Sequence, residues 1–405
     1  MRLALLALAI PFAGCASSAE PAIRTPLEQE IIALADSMER IHPDLFHAVP
    51  RHVFRAQAES LAAQAPGLTR DELVTGLMRL AALPGERDGH TGIFPFDRHA
   101  KTLHVYPLRL YDFADGLHVV GSLTAEDLTG RRVTAIAGRP IAQVVELVRP
   151  LVPHDNESSR RWLLPEYVVT AEVLRGLGIV SGPTAVFSFA DGTRAELTPV
   201  PAGEVAGTLG GAPAPLPTNH DPLWLRHLEN DQWLTTLQRG RAVYLGYRLT
   251  TGPTYDLAQR LLRLARRPGV RRVVVDTRLN HGGDNTSYGP LLEVLKRPVV
   301  ERQLVVLTGR ATFSAAGNFV ADVERFTKAR FVGEPSGGAP SQWGDRTPIE
   351  LPLAGLRVNV ANSYWEFGPR GDRRPAIEPD VTVEPTAADF FAGRDPVLAR
   401  ALALR

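Results

Sequence analysis

Cysteine and lysine are nearly missing from this chain. The single cysteine, Cys15, excludes an intrachain disulfide. Lysine occurs only at Lys101, Lys296 and Lys328, and arginine supplies every other basic side chain. Chemistry that needs a lysine therefore has three places to look. Net charge is also lacking. The 45 basic and 44 acidic residues leave +1, so no electrostatic argument favours nucleic acid or an acidic surface. Beyond the first twenty residues no run is long and apolar enough to span a bilayer. The eleven histidines never form a helical pair around a glutamate, and a proline breaks the spacing in "HPDLFH". Nothing in that pattern points to a metal or another cofactor. No internal repeat is visible.

What is present begins with "MRLALLALAIPFAGCASSAEP", an arginine followed by an apolar stretch and then small residues. This reads as an export signal, too short for a structural transmembrane helix. "FAGC" resembles the lipobox of bacterial lipoproteins, which implies acylation of Cys15 and a tether facing the periplasm. The alternative is a plain secretion signal cut near Ala19. Residues 1–20 are thus assigned to signal and anchor.

Apolar residues at three- and four-residue spacing over residues 22–35 and 70–83 predict amphipathic helices, so 21–100 reads as a helical region ending in the turn-rich loop that carries His90. Residues 101–205 combine alternating, β-branched strands with two helical stretches, "PIAQVVELVRPLV" and "YVVTAEVLRGLGI", and a hairpin through Asp191–Gly192. This is a small α+β module. Residues 206–235 are rich in Pro, Gly and Ala and read as a linker. From 236 to 405 strands and helices alternate, which implies an α/β domain with helices packed on a largely parallel sheet. Functional groups in such sheets collect at the strand C-terminal ends.

Two of those ends carry candidate chemistry. In "LTGRATFSAAGNF", Ser314 stands where a buried strand gives way to a helix, with Ala315 and Ala316 behind it. A serine there caps the helix, or it attacks a carbonyl with the Ala315 amide as an oxyanion donor. In "VVVDTRLNHGGDN", Gly282 and Gly283 permit positive φ, and the Gly283 amide is a second candidate donor. The plain alternative is a glycine turn fixed by Asp276 and Asn280. In "RDGHTG", His90 is either a solvated loop histidine or a general base. His281 is a competing base.

Together and in this order, "GERDGHTGIF", "VVVDTRLNHGGDN", "LTGRATFSAAGNF", "FVGEPSGGAPSQWGD", "LPLAGLRV" and "AIEPDVTV" resemble the tail-specific, or C-terminal processing, serine peptidases. The relatives of that family include the tricorn protease core and interphotoreceptor retinoid-binding protein. The resemblance implies a crotonase-like (ClpP-like) catalytic domain behind a PDZ-like domain, here degenerate. It implies a serine-type endopeptidase acting on peptides or proteins without a cofactor. Members that use a serine–lysine dyad carry the lysine on a strand after the serine, and "EPSGGAPSQWG" has none. The tricorn-like branch uses a histidine instead, and His90 matches it, although Gly89 stands where the tricorn core has a serine. Ser314 is then the nucleophile and His90 the base. The acid is expected from "YWEFGPRGDRRPAIEPD", with Asp372 first, Glu366 second and Asp88 as a local alternative; Asp380 is expected to hold a turn. Two other readings remain: a non-catalytic binder of hydrophobic ligands or peptides on the same fold, and an esterase. The sequence leaves the oligomeric state open.

Overall fold

A computed structural model describes residues 24–96, 102–209 and 221–404. Cys15, Lys101 and residues 210–220 of the expected linker lie outside them. No helix among the described residues is long and apolar enough to cross a membrane.

Six strands form the central sheet, in the order Val381–Thr382, Arg330–Gly333, Leu304–Thr308, Arg272–Asp276, Ala242–Tyr247 and Gln232–Leu237. All neighbours are parallel except the last pair. Its inner strands are apolar on both faces because both faces are covered. Val243, Leu245, Val273 and Val275 meet the helices Tyr255–Ala265, Gly289–Leu295 and Ala315–Phe326 on one side. Tyr244, Val274, Val305 and Leu307 meet the C-terminal helix Pro396–Ala403 on the other. The sheet begins at Gln232, slightly before the expected boundary at 236.

The helices Pro26–Ile41 and Arg70–Ala82 start at the capping boxes Thr25/Glu28 and Thr69/Glu72. Between them lies Arg51–Gln64, which the apolar pattern did not reveal, because its buried face is Phe54, Ala58, Leu61 and Ala62. Two alanines in four positions leave little hydrophobic contrast. "YVVTAEVLRGLGI" is not one helix: Glu157–Val168 ends where it begins, and Ala171–Gly176 follows. The hairpin through Asp191–Gly192 joins Ala185–Phe189 to Arg194–Leu197.

The front and back of the chain share a core. Leu351, Leu356, Val358 and Val360, from the hairpin Thr347–Leu351/Leu356–Val360, pack in one cluster with Leu34, Leu77 and Val105. Gly92 and Asn359 exchange two backbone hydrogen bonds of 2.9 Å, and the Ala361 N–H donates to Thr91 Oγ1 at 2.9 Å. The loop holding His90 is thereby fastened beside the strand ends of the sheet.

Candidate active site

Ser314 follows the strand Leu304–Thr308 and precedes the helix Ala315–Phe326. Its backbone has φ 53 and ψ −129, a region that strongly favours glycine. The surroundings enforce it. The Phe313 N–H donates to the Asn280 carbonyl at 3.0 Å, and the Gly338 N–H donates to Thr312 O at 2.9 Å. The Gln342 amide donates to Ser314 O at 3.0 Å and to Asn318 Oδ1 at 3.1 Å. The Ser314 side chain makes no capping hydrogen bond to its helix.

Instead, Ser314 Oγ lies 3.0 Å from His90 Nε2, across 224 residues of sequence. The His90 ring is buried and stacks on Phe313, centroids 4.6 Å apart. Its loop is held on two sides: the Trp343 N–H donates to Arg87 O at 2.9 Å, and the Arg87 N–H to Asp155 O at 2.8 Å. Burial pushes the His90 ring down to about 4. The Asp88 carboxylate pulls it upward, Arg346 pushes it further down, and the Trp343 carbonyl and Asp345 pull upward. Nδ1 has no partner in hydrogen-bonding geometry among the described residues. The ring is therefore neutral at ordinary pH and can take a proton from Ser314.

Gly282 sits against the serine. A Cβ built on it would lie 2.6 Å from Ser314 Cβ, 3.0 Å from its Oγ and 3.1 Å from the Ala315 nitrogen. Gly282 and Gly283 both have positive φ, 114 and 132. Asn280 Oδ1 accepts the Gly282 N–H at 3.0 Å, and Asp276 accepts the Arg278 N–H at 3.1 Å, so both side chains fix the turn. The Gly283 and Ala315 amides have no acceptor among the described residues.

The candidate acids stand elsewhere. Asp372 is bound to Arg374, whose guanidinium also bonds Glu324. Glu366 Oε1 accepts the Gly371 N–H at 2.7 Å. Neither is hydrogen-bonded to His90. Asp88 Oδ1 accepts the Thr91 N–H at 3.2 Å, and its Oδ2 faces His42 Nε2 at 3.2 Å. Asp380 accepts the Phe331 N–H at 2.8 Å. His281 is exposed and makes no bond to Ser314. Lys328 lies exposed just past the end of the Ala315–Phe326 helix.

Gly89 has a packing reason. A Cβ there would meet the Phe313 ring at 2.8 Å and Asp155 Oδ1 at 3.1 Å, so a serine does not fit without movement. The sequence reading passed over two residues of this neighbourhood, Gln342 and Asp155. Asp155 precedes Asn156, the cap of the helix Glu157–Val168, and the run "HDNESS" was the available signal.

No family model matches the chain. No curated relative matches it either. Solved structures do. The crystal structure of a CPAF point mutant superposes with a TM-score of 0.61 at 12% identity, covering 91% of this chain and 94% of that one. Mature CPAF, alone and complexed with lactacystin, gives 0.57 at 12% identity, covering 91% of this chain and 95% of that chain. At this identity the likeness is one of fold, carried over nearly the whole length of both chains.

Proposed function

We propose that this chain is a serine-type endopeptidase that hydrolyses peptide bonds in peptide or protein substrates. The observation that carries the reading is the 3.0 Å contact between Ser314 Oγ and His90 Nε2. A helix cap needs no histidine, and Ser314 is, among the described residues, the one serine with glycine-like backbone angles. In this reading Ser314 attacks the scissile carbonyl while His90 Nε2 takes the hydroxyl proton. The Gly283 and Ala315 amides receive the developing oxyanion. His90 then returns the proton to the leaving amine, and a water deprotonated by His90 releases the acyl group from Ser314.

The catalytic unit would be a crotonase-like (ClpP-like) domain spanning about 236–405, behind a helical region and a degenerate PDZ-like module. Export with acylation of Cys15 would place it on the periplasmic face of a membrane. Asp372 and Glu366, engaged by Arg374 and Gly371, are left out of the proton relay in this conformation.

The test is labelling of the folded full-length chain with a fluorophosphonate probe. Wild type should label at Ser314, while Ser314→Ala should not and His90→Ala should label far more slowly. Peptide cleavage that disappears with the same two substitutions supports the endopeptidase. Ester turnover without peptide cleavage would support an esterase. A folded chain that does not label at Ser314 would overturn the reading.

A further inference from the structure

Asp155 is fully buried and makes no salt bridge among the described residues. Its two oxygens go to two different loops. Oδ1 accepts the Gly89 N–H at 2.7 Å, and Oδ2 accepts the Ala339 N–H at 3.2 Å. Gly89 is the residue before His90. Ala339 follows Gly338, whose added Cβ would stand 3.3 Å from the Ser314 nitrogen. One carboxylate thus grips the backbone next to each member of the Ser314–His90 pair. The flanking residues reinforce the bridge. The His154 carbonyl accepts the Asp88 N–H at 3.3 Å, and the Asn156 amide donates to Ser336 O at 3.0 Å and Pro375 O at 2.6 Å.

We propose that Asp155 is a positioning residue for the Ser314–His90 pair, a clasp whose ionised carboxylate holds the histidine loop and the glycine loop together. The inference rests on the peptidase reading of that pair. A carboxylate can accept both amides at once. A protonated carboxyl accepts one and turns an O–H toward the other, which releases one loop. Burial pushes Asp155 up to about 7, opposed by the Gly89 and Ala339 amides, with Asp88 raising it and Arg87 lowering it. The groups facing it are Arg87 and Asp88 on the histidine loop and His154 on its own segment; the Ser336–Ala339 stretch and Phe313 bring no ionisable side chain. Burial lowers the His90 ring, and the ring's own titration separates a pH effect of the base from one of the clasp.

The experiment measures the fluorophosphonate labelling rate of the full-length chain from acid to alkaline pH. Wild type should gain reactivity as pH rises through about 7. Asp155→Asn keeps the shape but offers one acceptor and opposes the other amide with its own NH₂. It should lose about 10- to 100-fold at alkaline pH, the scale of a small misplacement of reacting groups, and should show no rise near neutrality. An Asp155→Asn protein that keeps the wild-type rise overturns the proposal and leaves the peptidase reading intact. A second measurement needs no variant: ring nuclear magnetic resonance shifts of His90 in wild type should report a neutral imidazole while reactivity changes. A His90 ring that titrates in step with labelling overturns the clasp. A wild type that is folded but labels at no pH removes the reaction itself, and this role with it.

Discussion

Gly282→Ala tests the geometry of the site most directly. The new methyl would sit 2.6 Å from Ser314 Cβ and 3.0 Å from Oγ, closer than carbon atoms pack, at a backbone φ of 114. Two costs add. An L-residue in this backbone region costs about 1–3 kcal/mol, and forcing a methyl into a filled space costs about 1–3 kcal/mol more. The fold has no slack on the far side, because Thr250 N–H donates to Gly282 O at 2.9 Å and Asn280 holds the Gly282 N–H. Relief must therefore come from the serine. A shift of Ser314 by about 1 Å away from His90 lowers reactivity about 100-fold. The matched control is Gly289→Ala at the first position of a helix, where an added Cβ meets nothing within 4 Å. That change should leave labelling at the wild-type rate and stabilise slightly through the unfolded chain. Fluorophosphonate labelling rates and urea unfolding of both variants decide the matter. If Gly282→Ala labels at the wild-type rate, the close approach of the glycine turn to the serine is not what shapes the site.

Other substitutions probe the strain, the charge and the packing. Ser314→Gly should abolish labelling yet raise stability by about 1 kcal/mol in urea unfolding, since glycine adopts φ 53 without penalty. Gly89→Ser, which would supply the residue of the tricorn-like pattern, should slow labelling, because its Cβ meets the Phe313 ring at 2.8 Å and displaces the loop of His90. Arg278 binds Asp276 at 2.6 Å and Asp395 at 2.8 Å, with Asp276 buried and the other two side chains 9% exposed. Arg278→Ala leaves two uncompensated carboxylates and should cost about 3–5 kcal/mol by denaturant titration. Burial lowers His90 and His154 from 6.5 to about 4, so the unfolded rings bind protons that the folded ones refuse, and stability falls as pH drops across that window. Asp155 acts in the opposite sense, raised from 3.8 to about 7, its stabilising effect lost as pH rises. Asp155→Asn should therefore make the acid loss of stability steeper, read from unfolding midpoints between about pH 4 and 6.5.

The sheet and the reactive turn were legible because their physics is local. Buried parallel strands such as Arg272–Asp276 show as unbroken β-branched runs, and a serine between a strand and two alanines marks a strand-to-helix turn on its own. The meeting of Ser314 with His90 is a different kind of fact. Two small loops must be brought together from opposite ends of the chain, and the groups that do so carry no periodic signal. Asn359 pairs with Gly92 through backbone alone, which any residue but proline could do. Asp155 looks like an ordinary acid ahead of a helix cap, and only its burial between the Gly89 and Ala339 amides distinguishes it. The third member of the relay was sought among carboxylates near the end of the chain by residue type. In the fold, Arg374 lies two residues from Asp372 and claims it first, with Glu324 on its other side. An adjacent arginine reaches a carboxylate more readily than a distant buried imidazole can, because the chain already holds the two side by side and the Arg374 side chain stays exposed. Local arginine content, high in "GPRGDRRP", was thus evidence against Asp372 as the orienting acid. Asp155 is the contrasting case: its oxygens accept the Gly89 and Ala339 amides rather than a guanidinium, although Arg87 stands close enough to lower it.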